Sequence, residues 1–562
     1  MKKIFIFSIG LLLLASCSDD NSNYAYNDVN EILVELDEVY KVRLEDTELV
    51  IRPKISQTLL DKKENLTFMW KHSTSSSVHA AGYGDTLSLA DTVALEIKAT
   101  DKQFTHYLRL NIYDKETGIP YFFETSVKVT KPYMGAWMVL HKQEGETRIG
   151  AIEYTDGVGI AENDAYFNNT GEKLKNDPIL LGVNSRLTVN YGTTGVGINY
   201  YNAFMVITNN IDESGLYFQT EKLSQKDKLS RMLYDDHESG FKVEKTTLYS
   251  GDFNGVLCLN DGQLYQGMTA GSRLYKAKTE QLSGEKTVNL THAIKLGYYS
   301  MFYDSKARRL LYYNYYNGNK ASGNSTGGYS YWPNSFYELD ENKASLLNLP
   351  KRTIDADQPI DLNSIPVNQD VKFIGAGYQP NKVTSGINKN VIKCCVLAND
   401  NKDEKKSYVY EINMNSINAT TSSPKKVLEN YYTIVRPNIL KDDAKFASSC
   451  FYNGLLFFSD GNIIYRLNYS VDGENNHTSV YQHSGGTVKA MKFAHYQSVS
   501  ADATNLDYSA YGHEVYRSLA IVYDMGGGKS DLVILNLSNI GDLEGSAQVY
   551  KEFGDIKDII FL

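Results

Sequence analysis

Two stretches 199 residues apart repeat one another closely enough to limit what this chain can fold into. Phe253-Asn254-Gly255-Val256-Leu257-Cys258-Leu259-Asn260-Asp261-Gly262 is answered by Tyr452-Asn453-Gly454-Leu455-Leu456-Phe457-Phe458-Ser459-Asp460-Gly461. Each reads aromatic-Asn-Gly, a mostly apolar run, then Asp-Gly, with Tyr265 and Tyr465 following. Asn-Gly and Asp-Gly are the strongest hairpin-turn dipeptides, because a type I′ turn needs positive φ at both central residues. A second echo pairs KSDLVILN at 529–536 with KSYVYEIN at 406–413. A third pairs YQHSGGTVKAMKF at 481–493 with YKEFGDIKDIIF at 550–561, its Val-Lys and Ile-Lys elements lying 68 residues apart.

Three units of about 66 residues account for the first interval and one unit for the last, and four strands with turns fill such a unit. A ring of four-stranded units is a β-propeller. Seven blades are expected, centred on 137–155, 203–220, 253–268, 299–315, 371–413, 447–470 and 488–537, with six or eight as alternatives. The tail, 555–562, then reads as the opening strand of a blade whose other strands lie near residue 137. Pairing the two ends would remove the edges that an open stack leaves exposed. The rival, a further pair of β-sandwiches, predicts no echo between tail and head.

Before residue 133 the pattern differs. From Glu31 to Lys131 the chain is a series of short alternating strands, EILVEL, TELVIRPKI, LTFMWKH, HYLRLNIYD and PYFFETSVKV, the last two joined by Lys115-Glu116-Thr117-Gly118. About a hundred residues of this kind make an antiparallel sandwich, with Trp70 in its core. The segment resembles the PKD-like modules found near the N-terminus of Bacteroidota surface lipoproteins. It departs from their WDFGDG signature, having Trp70-Lys71-His72 and a later Gly84-Asp85, so the resemblance implies a fold and no site.

The first twenty residues, MKKIFIFSIGLLLLASCSDD, set the compartment. Lys2 and Lys3 precede a short apolar run, Ile4 to Leu14, as in a secretory signal, and the run is too short for a comfortable membrane span. Leu14-Ala15-Ser16-Cys17 resembles a bacterial lipobox, which implies cleavage before Cys17 and acylation of that residue. Two or three acyl chains hold a protein on a membrane where one does not. Ser18-Asp19-Asp20 is similar to the surface-export signal of Bacteroidota lipoproteins. The expected organisation is a signal peptide at 1–16, a lipidated tether at 17–30, a sandwich at 31–132 and a propeller at 133–562.

A net charge of −10 argues against nucleic acid as a partner, since that needs a basic face. Beyond Cys17 the cysteines are Cys258, Cys394, Cys395 and Cys450, which read as buried thiols rather than a disulfide framework. On a strand, Cys394 and Cys395 would point to opposite faces.

Motifs for chemistry are few, and none asks for a cofactor or a metal. Gly526-Gly527-Gly528-Lys529-Ser530 lacks the earlier glycine of a phosphate loop, since Tyr523 stands in that place, and it falls between two strands. His513-Glu514 has Arg517 where a zinc helix needs its second histidine. Asp235-Asp236-His237-Glu238 is the densest cluster of ligand-type residues and reads as a solvated loop, with a calcium or zinc site as the alternative. No catalytic residue is assigned, although paired carboxylates on distant blades would escape a sequence reading.

The composition is unusual in tyrosine, with 43 against 21 Phe and 3 Trp. Most belong in strands. Leu310 to Tyr313 is strand-like, and from Tyr315 the chain runs into a long polar loop rimmed by Tyr315, Tyr316, Tyr329, Tyr331 and Trp332. Packing does not require such a loop, and rings of this kind stack on sugars or peptide side chains while their polar tips hydrogen-bond. These five are the candidate ligand-binding residues.

Lipobox, acidic patch, PKD-like module and propeller in this order resemble the PKD-like lipoproteins of Bacteroidota. That resemblance implies a non-catalytic accessory on the outer membrane, facing outward. Its partners would be a SusC/SusD-type importer, a TonB-dependent porter with its lid lipoprotein, and its ligand a glycan or oligopeptide. The alternatives are a propeller-fold glycosidase or lyase, and a purely structural importer subunit.

Overall fold

The computed structural model describes residues 29–43, 47–59, 62–74, 82–97, 105–130, 133, 135–155, 158–189, 198–218, 223–233, 240–249, 257–267, 274–277, 279–280, 282–296, 299–314, 346–379, 392–417, 426–494 and 515–562. The chain is all-β and divides into two compact units, Met1–Thr130 and Lys131–Leu562.

In the first unit the strands Val39–Arg43, Pro120–Thr130, Thr105–Asp114, Leu66–Ser73 and Asp85–Ser88 form, in that order, a five-stranded sheet. Two two-stranded sheets, Ile32–Glu35 with Lys54–Gln57 and Thr47–Ile51 with Val93–Ile97, accompany it. Period-two alternation sends Leu108, Leu110 and Ile112 to one face and Tyr107, Arg109 and Asn111 to the other. Residues from the three sheets share one core around Trp70, which is fully buried. The Lys-Glu-Thr-Gly segment is the expected turn: Gly118 takes φ 70° and its N–H donates to Asp114 O at 2.9 Å.

The second unit holds seven four-stranded antiparallel sheets among the described residues. We label them A (137–162 with 555–561), B (178–228), C (246–276), D (290–348), E (369–435), F (446–482) and G (487–550). In B to G the strands lie side by side in chain order. In sheet A the first place is taken by Asp555–Phe561, which pairs antiparallel with Trp137–Gln143 in the register Trp137↔Phe561 to Lys142↔Asp555.

Strands in the middle of these sheets are apolar on both faces, as in Leu455-Leu456-Phe457-Phe458, because each sheet packs against two others. Seven cores result, each shared by successive sheets. Phe204 and Leu181 of B meet Met138 and Leu140 of A, and the pattern continues to Val522 and Ile534 of G. These last two meet Val139, Ile556 and Phe561 of A, so the succession returns to its start. Cys394 and Cys395 illustrate the alternation. Cys394 Sγ lies 3.5 Å from Met301 Sδ in the D–E core, and Cys395 belongs to the E–F core. All four cysteines beyond residue 17 are buried and outside any disulfide. The arrangement is propeller-like.

The echoed turns differ in detail from expectation. Asp261-Gly262 is a two-residue loop with φ of 49° and 77°, as type I′ requires. At the second copy the loop moves one residue on, to Gly461-Asn462, because Asp460 stays in the ladder opposite Ile463. Only Gly461 has positive φ there, the type II′ pattern. Asn453-Gly454 is not a hairpin loop; it ends the longer connection 448–454, where a Cβ on Gly454 would collide with Ser470 Oγ.

Candidate functional site

Within each sheet of unit 2, strand order alone sorts the connections between two ends. Turns from second to third strand leave one end, while those from first to second and third to fourth leave the other. The former are short: 144–145, 261–262, 461–462 and 527–528 have two residues, and the longest, 209–214, has six. The latter include 315–345, 377–392, 414–427 and 494–517. Gly526-Gly527-Gly528 belongs to the short-turn end, joining Ser518–Gly526 to Lys529–Asn536, and Ser530 Oγ accepts a hydrogen bond from Ile556 N. It forms a hairpin with no phosphate-loop helix behind it.

The long-connection end is also where the chain enters the unit. Tyr133 is 1% exposed with φ 57°, and it is held by Glu153 Oε1 on its N–H and by Glu162 Oε2 on its hydroxyl, both at 3.0 Å. Gly135 N donates to Leu562 O and Leu562 N to Ala136 O, so the opening segment of the unit and its last residue are stitched side by side. The tyrosine-rich segment opens at this end: Tyr312 and Tyr313 lie in the strand Arg309–Asn314, and the chain returns at Leu346–Asn348. Tyr315, Tyr316, Tyr329, Tyr331 and Trp332 lie outside the described residues, as do Cys17, the Asp235–Glu238 cluster and His513-Glu514.

Between sheets D and E lies a cleft of about 330 Å³ that the sequence reading missed. Its wall is residues 349–363 of the connection 349–368, met by Val427 at the foot of a sheet E strand. Arg352 and Asp355 form its base. Arg352 Nε donates to Asp355 Oδ2 at 2.7 Å and Nη2 to Oδ1 at 3.2 Å, while Nη1 donates to Ser416 O at 2.6 Å. Gln358 Nε2 and Val427 N also donate to Asp355 Oδ1, at 2.9 and 3.1 Å. At the rim Lys351 Nζ meets Asp361 Oδ2 at 2.6 Å, and Asn363 N donates to Asp361 Oδ1. Burial works against ionisation of both carboxyls. Hydrogen bonds from Arg352 and Val427, and from Lys351 and Asn363, outweigh it and hold both below the ordinary carboxylate range. Leu349, Leu362 and Val427 supply the apolar surface.

A second charged group joins sheets G, A and B along their first strands. Lys489 Nζ donates to Asp555 Oδ1 at 2.7 Å, and Lys557 Nζ binds the other oxygen of Asp555. Lys492 Nζ donates to Asp558 Oδ1, whose Oδ2 accepts from Leu181 N at 3.0 Å. Each carboxylate is neutralised by its lysines, so this group ties the sheets together. Among the described residues no three His, Cys, Asp or Glu side chains gather as a metal site.

Residues 17–178 match the model of the PKD-like family, an interval that covers the first unit from residue 17 on and continues through the three strands of sheet A between Trp137 and Glu162. No curated protein matches the chain. Solved structures do. A quinonprotein alcohol dehydrogenase-like protein from Bacteroides thetaiotaomicron is 13% identical at a TM-score of 0.38, over 93% of this chain and 96% of that one. Dihydro-heme d1 dehydrogenase NirN is 8% identical at 0.31, over 81% and 72%. The WD40 domain of SCAP from fission yeast is 7% identical at 0.29, over 67% and 74%.

Proposed function

We propose that this chain is an outer-membrane lipoprotein, anchored through Cys17 and facing the cell exterior, that serves a SusC/SusD-type importer as a non-catalytic capture subunit. The observation that carries the reading is the coincidence of Leu14-Ala15-Ser16-Cys17 with a PKD-like match that opens at residue 17. In this reading unit 1 is a PKD-like β-sandwich. Unit 2 is a seven-bladed propeller closed by the strand Asp555–Phe561, and its long-connection end meets the ligand, a glycan or oligopeptide. Tyr315, Tyr316, Tyr329, Tyr331 and Trp332 are the proposed contact residues.

The test is an affinity pull-down from detergent-solubilised outer membranes, with the native lipidated protein as bait. Co-recovery of a TonB-dependent porter and its lid lipoprotein is the expected result, and recovery of neither overturns the importer assignment. Cys17→Ala should move the protein to the soluble fraction. A protein that stays with the membrane after that change is not held by an acyl anchor at Cys17.

A further inference from the structure

We infer that the cleft between sheets D and E is a binding site for the end of an uncharged oligosaccharide, an inference that rests on the capture reading above and names its ligand class. Volume is the first argument. At about 330 Å³ the cleft lies at the small end of ligand sites, which run from ~300 to ~1,000 Å³, so it accepts a chain terminus rather than a length of chain.

Charge is the second. The lining carries Lys351, Arg352, Asp355 and Asp361, and each cation is already hydrogen-bonded to a carboxylate. An added charge would lose hydration and find no counter-ion, which disfavours uronic acids and the charged termini of short peptides. What the site offers is paired donors and acceptors. Lys351 and Asp361 stand together at the mouth, and Gln358 turns its amide N–H to Asp355. Among the described residues Gln358 Oε1 accepts no hydrogen bond, which leaves it available to a ligand. Hydroxyl groups both donate and accept, so neighbouring hydroxyls of one sugar ring can satisfy such a set without bringing charge. Ile360 and Pro350 provide apolar surface for the C–H face of the ring.

The full chain, expressed without its signal peptide, would be titrated calorimetrically with three sets of probes. These are neutral hexasaccharides, uronate-containing hexasaccharides, and hexapeptides with free or blocked termini. Gln358→Ala, Lys351→Ala and Asp361→Asn are compared with Lys426→Ala, which breaks an exposed pair with Asp357 outside the lining. Circular dichroism and thermal melts establish that each variant is folded. The expected result is binding of a neutral saccharide that weakens at least tenfold in the first three variants and is unchanged in the fourth. Neutral-saccharide binding that survives all three lining variants overturns the cleft assignment and leaves the capture reading standing. Binding of uronates or peptides that is lost in those variants overturns the ligand class. Binding of no probe overturns both.

Discussion

The carboxylate of Asp558, four residues from the end of the chain, accepts a hydrogen bond at 3.0 Å from the backbone N–H of Leu181, 377 residues earlier. Its other oxygen accepts from Lys492 Nζ and from Ile559 N. One side chain of sheet A therefore binds both sheets that flank it, and that contact is where the succession of seven sheets joins its own beginning.

Asp558→Ala should consequently destabilise the second unit. It leaves Leu181 N buried with no acceptor, a loss worth ~1–3 kcal/mol for a buried donor. Asp558→Asn keeps one acceptor oxygen and should cost less. Urea unfolding reads both, as a lower midpoint at unchanged slope. Equal effects of the two variants would mean that charge, and not the Leu181 hydrogen bond, is what matters.

Removing residues 555–562 takes Ile556, Ile559 and Phe561 from the G–A core and bares the edge of Trp137–Gln143. An exposed apolar edge recruits other chains. The truncated protein should therefore aggregate, and its second unit should be cut by protease under conditions that leave the full chain intact. A monomeric, protease-resistant product would mean the remaining six sheets and the three strands left in sheet A hold together without the tail.

His141 gives the second unit a pH dependence of known sign. It is fully buried, its Nδ1 accepts from Gly554 N at 3.2 Å, and its Nε2 lies 2.8 Å from Asn163 O. With one nitrogen accepting and the other donating, the ring is held in a neutral tautomer. Burial is the main force lowering its pKa, to about 4, with Arg148 adding to it and the Asn163 carbonyl opposing it. Unfolded, the ring titrates near ~6.5. Between those values the unfolded chain binds the extra proton, so stability falls as pH drops from ~6.5 toward 4, by up to about 3 kcal/mol. Melts from pH 4 to 7 should show this slope, and His141→Gln should flatten it. A slope identical in the variant would assign the effect elsewhere, for instance to His72 in the first unit, whose pKa burial also lowers.

The thiols offer an independent measure of how tightly the cores are packed. Burial pushes Cys258 and Cys394 upward and Cys395 up to about 12, and the thiolate is the reactive form. In the native protein none of the cysteines beyond residue 17 should react with a thiol reagent at pH 8, and all four should do so in denaturant. A native-state thiol that reacts within minutes would reveal a core that opens locally.

Much of the second unit was legible because repetition shows itself in sequence. The Val-Lys and Ile-Lys echo marked 488–493 and 555–561 as equivalent strands, and each does open its sheet. Cys394 and Cys395 were separable because a strand alternates its side chains whatever surrounds it. Turns were less legible. Asp261-Gly262 and Asp460-Gly461 look alike, yet the ladder extends one pair further in the second copy, and local dipeptides do not report where pairing stops. The D–E cleft left no trace in the sequence reading. Arg352, Asp355, Gln358 and Asp361 sit on an aperiodic connection, and what unites them is the fold of that connection against Val427.

Tyr133, near the start of the second unit, and Leu562 lie at the same pole as the long connections, while the opposite pole carries two-residue turns such as Gly527-Gly528. Connections are the parts of a fold that tolerate changes of length and residue, so sequence change at the first pole leaves the strand ladders untouched. A label or fusion partner added at Leu562 would crowd that same pole, and one inserted at Gly527-Gly528 would leave it open.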